Sequence, residues 1–130
     1  MSNIDKKIVV SAALLGAITI AFGAFGAHGL KELVNERSID SFNTGVRYQM
    51  YHTLALMIIG FSSKISDSTK KWVFRFMVFG ILLFSGSIYV LSVKELLSFD
   101  TSSIVFVTPL GGILFILGWL RLAFGLFLNK

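Results

Sequence analysis

The side chains able to do chemistry in this sequence are few, and most lie in or beside long apolar runs. The candidates are His28, Arg47, Tyr48, Tyr51, His52, Ser85, Ser87, Tyr89 and Thr108. An arginine surrounded by tyrosines and histidines suits a phosphate or another small anion, because the guanidinium presents a fixed fork of donors. Two imidazoles also suit the axial positions of a haem iron, provided they reach opposite faces of the ring at one depth. Ser85 or Ser87 with His52 would make a nucleophile and its base, but no carboxylate is at hand to orient the imidazole. No HExxH, phosphate-loop or nucleophile-elbow motif occurs. The chain has no cysteine, which removes disulfides, thiolate metal sites and cysteine nucleophiles. No catalytic residue, metal site or resident cofactor is therefore expected, and haem on His28 and His52 is the minor alternative.

The elements that must position these residues are set by an unusually apolar composition. Of 130 residues, 55% are hydrophobic and 15% charged, where a soluble domain carries about 25% charged residues. The mean hydropathy is +0.79. The apolar excess falls in runs from Ile8 to Ala27, Tyr48 to Ser63, Trp72 to Val93 and Ile104 to Leu128. About 20 apolar residues cross the hydrocarbon of a bilayer, and the backbone must be helical to pair its own amides there. The expected fold is an all-α membrane protein, an up-down bundle of four transmembrane helices in a single domain. Its spans are expected at roughly 8–28, 44–63, 72–93 and 104–127. The first run is longer than the apolar stretch of a signal peptide and reads as a span. A short amphipathic segment is expected in the first loop, where Leu30, Leu33 and Val34 alternate with charges.

Sidedness follows from the basic residues. With the N-terminus inside, Lys6, Lys7, Lys64, Lys70, Lys71, Arg75, Arg121 and Lys130 are cytoplasmic. Lys31, Arg37, Arg47 and Lys94 then face outward, eight against four. Both termini are accordingly expected in the cytoplasm. Trp72 and Trp119 would mark the inner boundary and Tyr48, Tyr51 and Tyr89 the outer one. The net charge of +5 is distributed along the chain ends and loops; a nucleic-acid footprint would gather it on one soluble face.

In this topology the polar candidates share the outer half of the bilayer. Arg47, Tyr48, Tyr51 and His52 fall within an arc of about 140° on an ideal helix. Small residues suggest where helices touch, since close packing in lipid runs through them. Ala13, Ala17 and Ala21 repeat every four residues in the first span, with Gly16 and Gly23 beside them. Gly111, Gly118 and Gly125 repeat every seven in the fourth. Pro109 either starts the fourth helix proper or frees a carbonyl inside it.

Several ordered motifs carry a family resemblance. They are Gly23-Ala24-Phe25-Gly26-Ala27-His28-Gly29-Leu30, Arg47-Tyr48-Gln49-Met50-Tyr51-His52, Phe84-Ser85-Gly86-Ser87, and Thr108-Pro109-Leu110-Gly111-Gly112 through Gly118-Trp119. Over essentially its whole length the sequence resembles the small membrane family called domain of unknown function 423, found in bacterial inner membranes with relatives in animal mitochondria. The resemblance implies a four-helix protein of the cytoplasmic membrane and supplies no activity. The residues favour an accessory or stabilising protein with a polar pocket in the outer half of the membrane. Its partners would be membrane lipids and a larger membrane complex or a second copy. The alternative is a site for a lipid headgroup, a quinone or a small anion, with haem binding or transport behind it.

Overall fold

Each of the first three long helices opens where a side chain can satisfy its first backbone donors. Ser2 accepts from the Asp5 N–H and Asp5 accepts from the Ser2 N–H, a reciprocal cap on α1, Asn3–Ala27. Asn35 accepts from the Ser38 N–H to open α2, Glu36–Phe61. Ser66 accepts from the Thr69 N–H to open α3, Asp67–Gly80. α3 passes through one π turn, Ile81–Ser85, into α4, Gly86–Ser92, as a continuous rod. α5 is Val107–Leu128. Pro109 is its third residue, where a backbone N–H would have no helical partner, so the proline belongs to the helix start. Before it, Asp100 accepts from the Ser102 backbone and hydroxyl, which holds its carboxyl below the usual range. These elements come from a computed structural model that describes residues 1–128; Lys130, counted above as cytoplasmic, lies outside them.

Among the described residues, three helical stretches are long and apolar enough to cross a membrane: Asn3–Glu32, Asp67–Ser92 and Ser102–Leu128. α2 is long enough, but its leading half carries Glu36, Arg37, Asp40 and Arg47. The helix itself starts at Glu36, ahead of the span expected from residue 44, because Asn35 supplies the cap. The amphipathic segment of the first loop accordingly shrinks to a 3-10 turn, Leu30–Glu32, with Leu30 buried.

Packing places α2 between α1 and the α3–α4 rod, while α5 lies along α3 and the π turn. Ile8 and Ala12 of α1, Ala55, Leu56 and Ile59 of α2, and Val73 and Met77 of α3 form the apolar core. One end of the bundle is tied by two consecutive residues. Lys70, only 2% exposed, donates to Asp5 of α1 at 2.5 Å and to the Ser62 carbonyl at the end of α2 at 2.6 Å. Its neighbour Thr69 accepts from Arg121 of α5 at 3.0 Å.

The expected alanine seam is not the packed face of α1. Ala13, Ala17 and Ala21 are exposed, and Ile8, Ala12, Thr19 and Gly26 are buried instead. The alanine row is turned about 100° from Ala12, and the Asp5–Lys70 tie fixes which row points inward. Gly16 and Gly23 are half-buried, facing Thr53 and Val46 with ordinary spacing. In α5, Gly118 faces Met77 and Phe76, and Gly125 faces Thr69 so closely that no Cβ fits. Gly111 lies against the π turn: a Cβ there would run into the Phe84 backbone nitrogen and sit 2.7 Å from the Leu83 carbonyl carbon. At Gly112 the nearest atom is 3.8 Å away. Gly111→Ala is therefore expected to destabilise the protein by about 1–3 kcal/mol or more, read as a fall in detergent melting temperature. Gly112→Ala is expected to be neutral or stabilising by up to about 1 kcal/mol. Equal melting temperatures for the two variants would contradict this packing.

Candidate functional site

The π turn organises the polar residues around it. Its wide backbone ring is closed by the Gly86 N–H bonding to the Ile81 carbonyl, and turns of this kind are frequent at functional sites. Ser85 donates to the Gly45 carbonyl of α2 at 2.7 Å. Tyr89 donates to the amide oxygen of Gln49 at 2.6 Å. Ser87 and Thr108 share a hydrogen bond of 2.5 Å that joins α4 to α5. Gly45 permits the approach, since a Cβ there would lie 2.8 Å from the Tyr89 ring. These bonds bind α2, α4 and α5 to one another, and their polar atoms are engaged in doing so.

Beside this belt the backbones of α2 and α5 diverge, and an aromatic groove of about 680 Å³ opens sideways between them. His52 forms its floor. The indole N–H of Trp119 can only donate, so at 3.1 Å the His52 Nε2 accepts it. Nδ1 then carries the proton and donates to the Tyr48 carbonyl at 2.6 Å. The imidazole lies flat on Phe115, with ring centres 3.6 Å apart and planes 8° apart. The π turn delivers Phe84 to the same wall, with ring centres 4.8 Å from Tyr48 and 5.4 Å from Phe115. Tyr48, Tyr51 and Trp119 are exposed along the rim, and Pro109 and Gly112 close the α5 side.

The nine sequence candidates thus separate into groups. Tyr48, Tyr51 and His52 line the groove. Ser85, Ser87, Tyr89 and Thr108 make the interhelical belt. Arg47 is exposed and donates to Thr44 one turn earlier on its own helix, at 3.1 Å. His28 is exposed at the end of α1. That end is level with Phe42, which a Cβ on Gly26 would meet at 2.9 Å. From Phe42 to His52 is ten positions, about 15 Å of helix, so the two histidines do not face a common centre. Trp119, expected at the inner boundary, lies at the depth of His52, because α5 slides along α3 until Gly118 meets Met77. Sequence reasoning missed Trp119 and Phe115 as partners of His52 and Gln49 as the partner of Tyr89. A glutamine between two apolar stretches was the available signal for the last of these.

Together these features define a helical membrane protein with a lateral aromatic groove. The protein-family description that matches is "Protein of unknown function (DUF423)", over residues 22–112. The UPF0382 membrane protein of Haemophilus influenzae is 38% identical over 126 residues, covering 96% of this chain and 97% of that protein. The UPF0382 membrane protein YwdK of Bacillus subtilis is 37% identical over 90% of this chain and 93% of its own length. The UPF0382 inner membrane protein YgdD of Escherichia coli is 36% identical, with coverages of 93% and 89%. The chain belongs to this DUF423 family of membrane proteins. No solved structure matches it.

Because His52 holds both a stack and two hydrogen bonds, His52→Ala is expected to destabilise the fold by about 1–3 kcal/mol. His28→Ala is expected to change stability by less than about 0.5 kcal/mol. Thermal melts of the two variants in one detergent check the contrast; equal losses would contradict it.

Proposed function

We propose that this protein crosses the inner membrane four times, with both termini cytoplasmic, and serves as an accessory protein that holds a membrane lipid in the groove between α2 and α5. The fourth crossing is supported by topology. Asp5 and Lys70 meet near the N-terminal ends of α1 and α3, so these two helices start at the same end of the bundle. The chain between them must return through the same thickness, and α2, at 26 residues, covers about 39 Å. Its polar residues at the hydrocarbon level, Gln49, His52 and Thr53, are buried against other helices, as an intramembrane polar residue requires. The excess of basic residues on one side supports the cytoplasmic placement of both ends.

The groove carries the functional reading. A cleft lined by aromatic rings and opening sideways, at the depth of the apolar spans, is reached by hydrocarbon chains without leaving the bilayer. The polar groups around it serve helix-to-helix bonds, which favours a supporting role over proton or solute transfer. The test is native mass spectrometry of protein released from its own membrane. Wild type is expected to retain lipid, and Gly112→Leu, which fills the groove, is expected to lower retention by about tenfold at an unchanged melting temperature. Equal lipid on both proteins would overturn the groove as the site.

A second arm tests the topology. The chain has no cysteine, so single cysteines report alone. Ser98→Cys is expected to react with an impermeant maleimide in spheroplasts with intact membranes, and Ser63→Cys only after the membranes are opened. The reverse pattern would overturn the assigned sidedness.

A further inference from the structure

A second cavity, of about 660 Å³, lies where α2 begins, between its first turns and the end of α4. Its chemistry differs from that of the groove. Hydroxyls of Ser38, Ser41, Ser92 and Thr108 line it, together with the charged side chains of Arg37, Lys94 and Glu95. Among the described residues, none of these three charges makes an ion pair with another side chain. Arg37 stands in the first turn of α2, the positive end of the helix, where a cation is disfavoured and an anion is attracted. Pro109 lines both this cavity and the aromatic groove. A polar chamber and an apolar channel therefore adjoin at one residue, in the order in which a lipid carries its head and its chains.

We propose that this cavity is a headgroup site for a phospholipid bearing a phosphate and a primary ammonium, of the phosphoethanolamine class, whose chain occupies the groove. Arg37 and Lys94 supply two positive charges for the phosphate, with bidentate geometry available to the guanidinium. Glu95 supplies the counter-charge for the ammonium, and the serine hydroxyls accept its remaining protons. An anionic headgroup without an amine would leave Glu95 facing like charge. A trimethylated ammonium would satisfy the charge but has no N–H to donate. The inference rests on the lipid-holding role of the groove and refines it.

The test adds phosphatidylethanolamine, phosphatidylglycerol or phosphatidylcholine to delipidated protein and reads the bound fraction by native mass spectrometry. Wild type is expected to prefer phosphatidylethanolamine by about tenfold over either alternative. Glu95→Gln is expected to abolish the preference over phosphatidylglycerol, and Arg37→Gln with Lys94→Gln to weaken all three lipids by about tenfold. Retention that is equal for the three lipids, but sensitive to Gly112→Leu, would overturn the headgroup site and leave the groove standing. Lipid insensitive to both Gly112→Leu and the charge variants would overturn both. Displacement of phosphatidylethanolamine by inorganic phosphate at millimolar concentration would assign the cavity to a free anion and overturn the lipid.

Discussion

A buried ammonium governs this bundle. Lys70 is almost wholly removed from solvent, and a charge in that position is tolerated only with close, hydrogen-bonded partners. Asp5 supplies the opposite charge, and the Ser62 carbonyl lies at the C-terminal end of α2, where the helix carries partial negative charge. Lys70 and its two partners come from three different elements, so satisfying one charge fixes the relative height of α1, α2 and α3. Thr69, one residue earlier, extends the knot to Arg121 and Gly125 of α5. Two adjacent residues thereby set the register of every long helix.

The middle of the bundle is built differently. There the constraint is the π turn, which widens the rod formed by α3 and α4 and pushes the Leu83–Phe84 backbone toward α5. Only a residue without a Cβ fits opposite it, and Gly111 is that residue. The same widening leaves Phe84 directed at Tyr48 and Phe115. Below this point α5 follows α3 and diverges from α2, so the side chains of His52 and Trp119 bridge a gap that the backbones leave open. Groove and close contact are two results of one local expansion.

The apolar runs made the helical class and the membrane setting legible from residue types alone, because bilayer thickness imposes a length that composition reveals; the family was legible only from its ordered motifs. The start of α2 was less legible: hydropathy begins near Tyr48, whereas the helix begins at the Asn35 cap. The repeats of small residues were legible as packable rows, but a row does not say what will cover it. Gly118 and Gly125 of α5 meet α3 and Gly111 meets the π turn, while Ala13, Ala17 and Ala21 are exposed because an ion pair between residues 65 positions apart turns α1 the other way. Lys70 itself read as one of several basic residues flanking a span, and nothing in its neighbours marks it as buried. The polar candidates were grouped by depth, yet depth separates His28 from His52, and a partner such as Trp119 belongs to a helix far away in sequence.

The chemistry along the bundle bears on what a protein of this size can do. At the Lys70 end the polar atoms close on one another, which gives rigidity and no open path. In the middle, Ser85, Ser87 and Tyr89 close on Gly45, Thr108 and Gln49 in the same way. Among the described residues the Thr53 hydroxyl is buried without a hydrogen-bond partner; what else stays open is lateral: a groove of rings and, across Pro109, a chamber of hydroxyls and of charges without an ion-pair partner. A solute crossing the membrane would need polar groups free along the axis, whereas a lipid needs an apolar wall beside a polar cap. The division between closed polar pairs in the core and open surfaces at the flank therefore favours a protein that grips its own solvent.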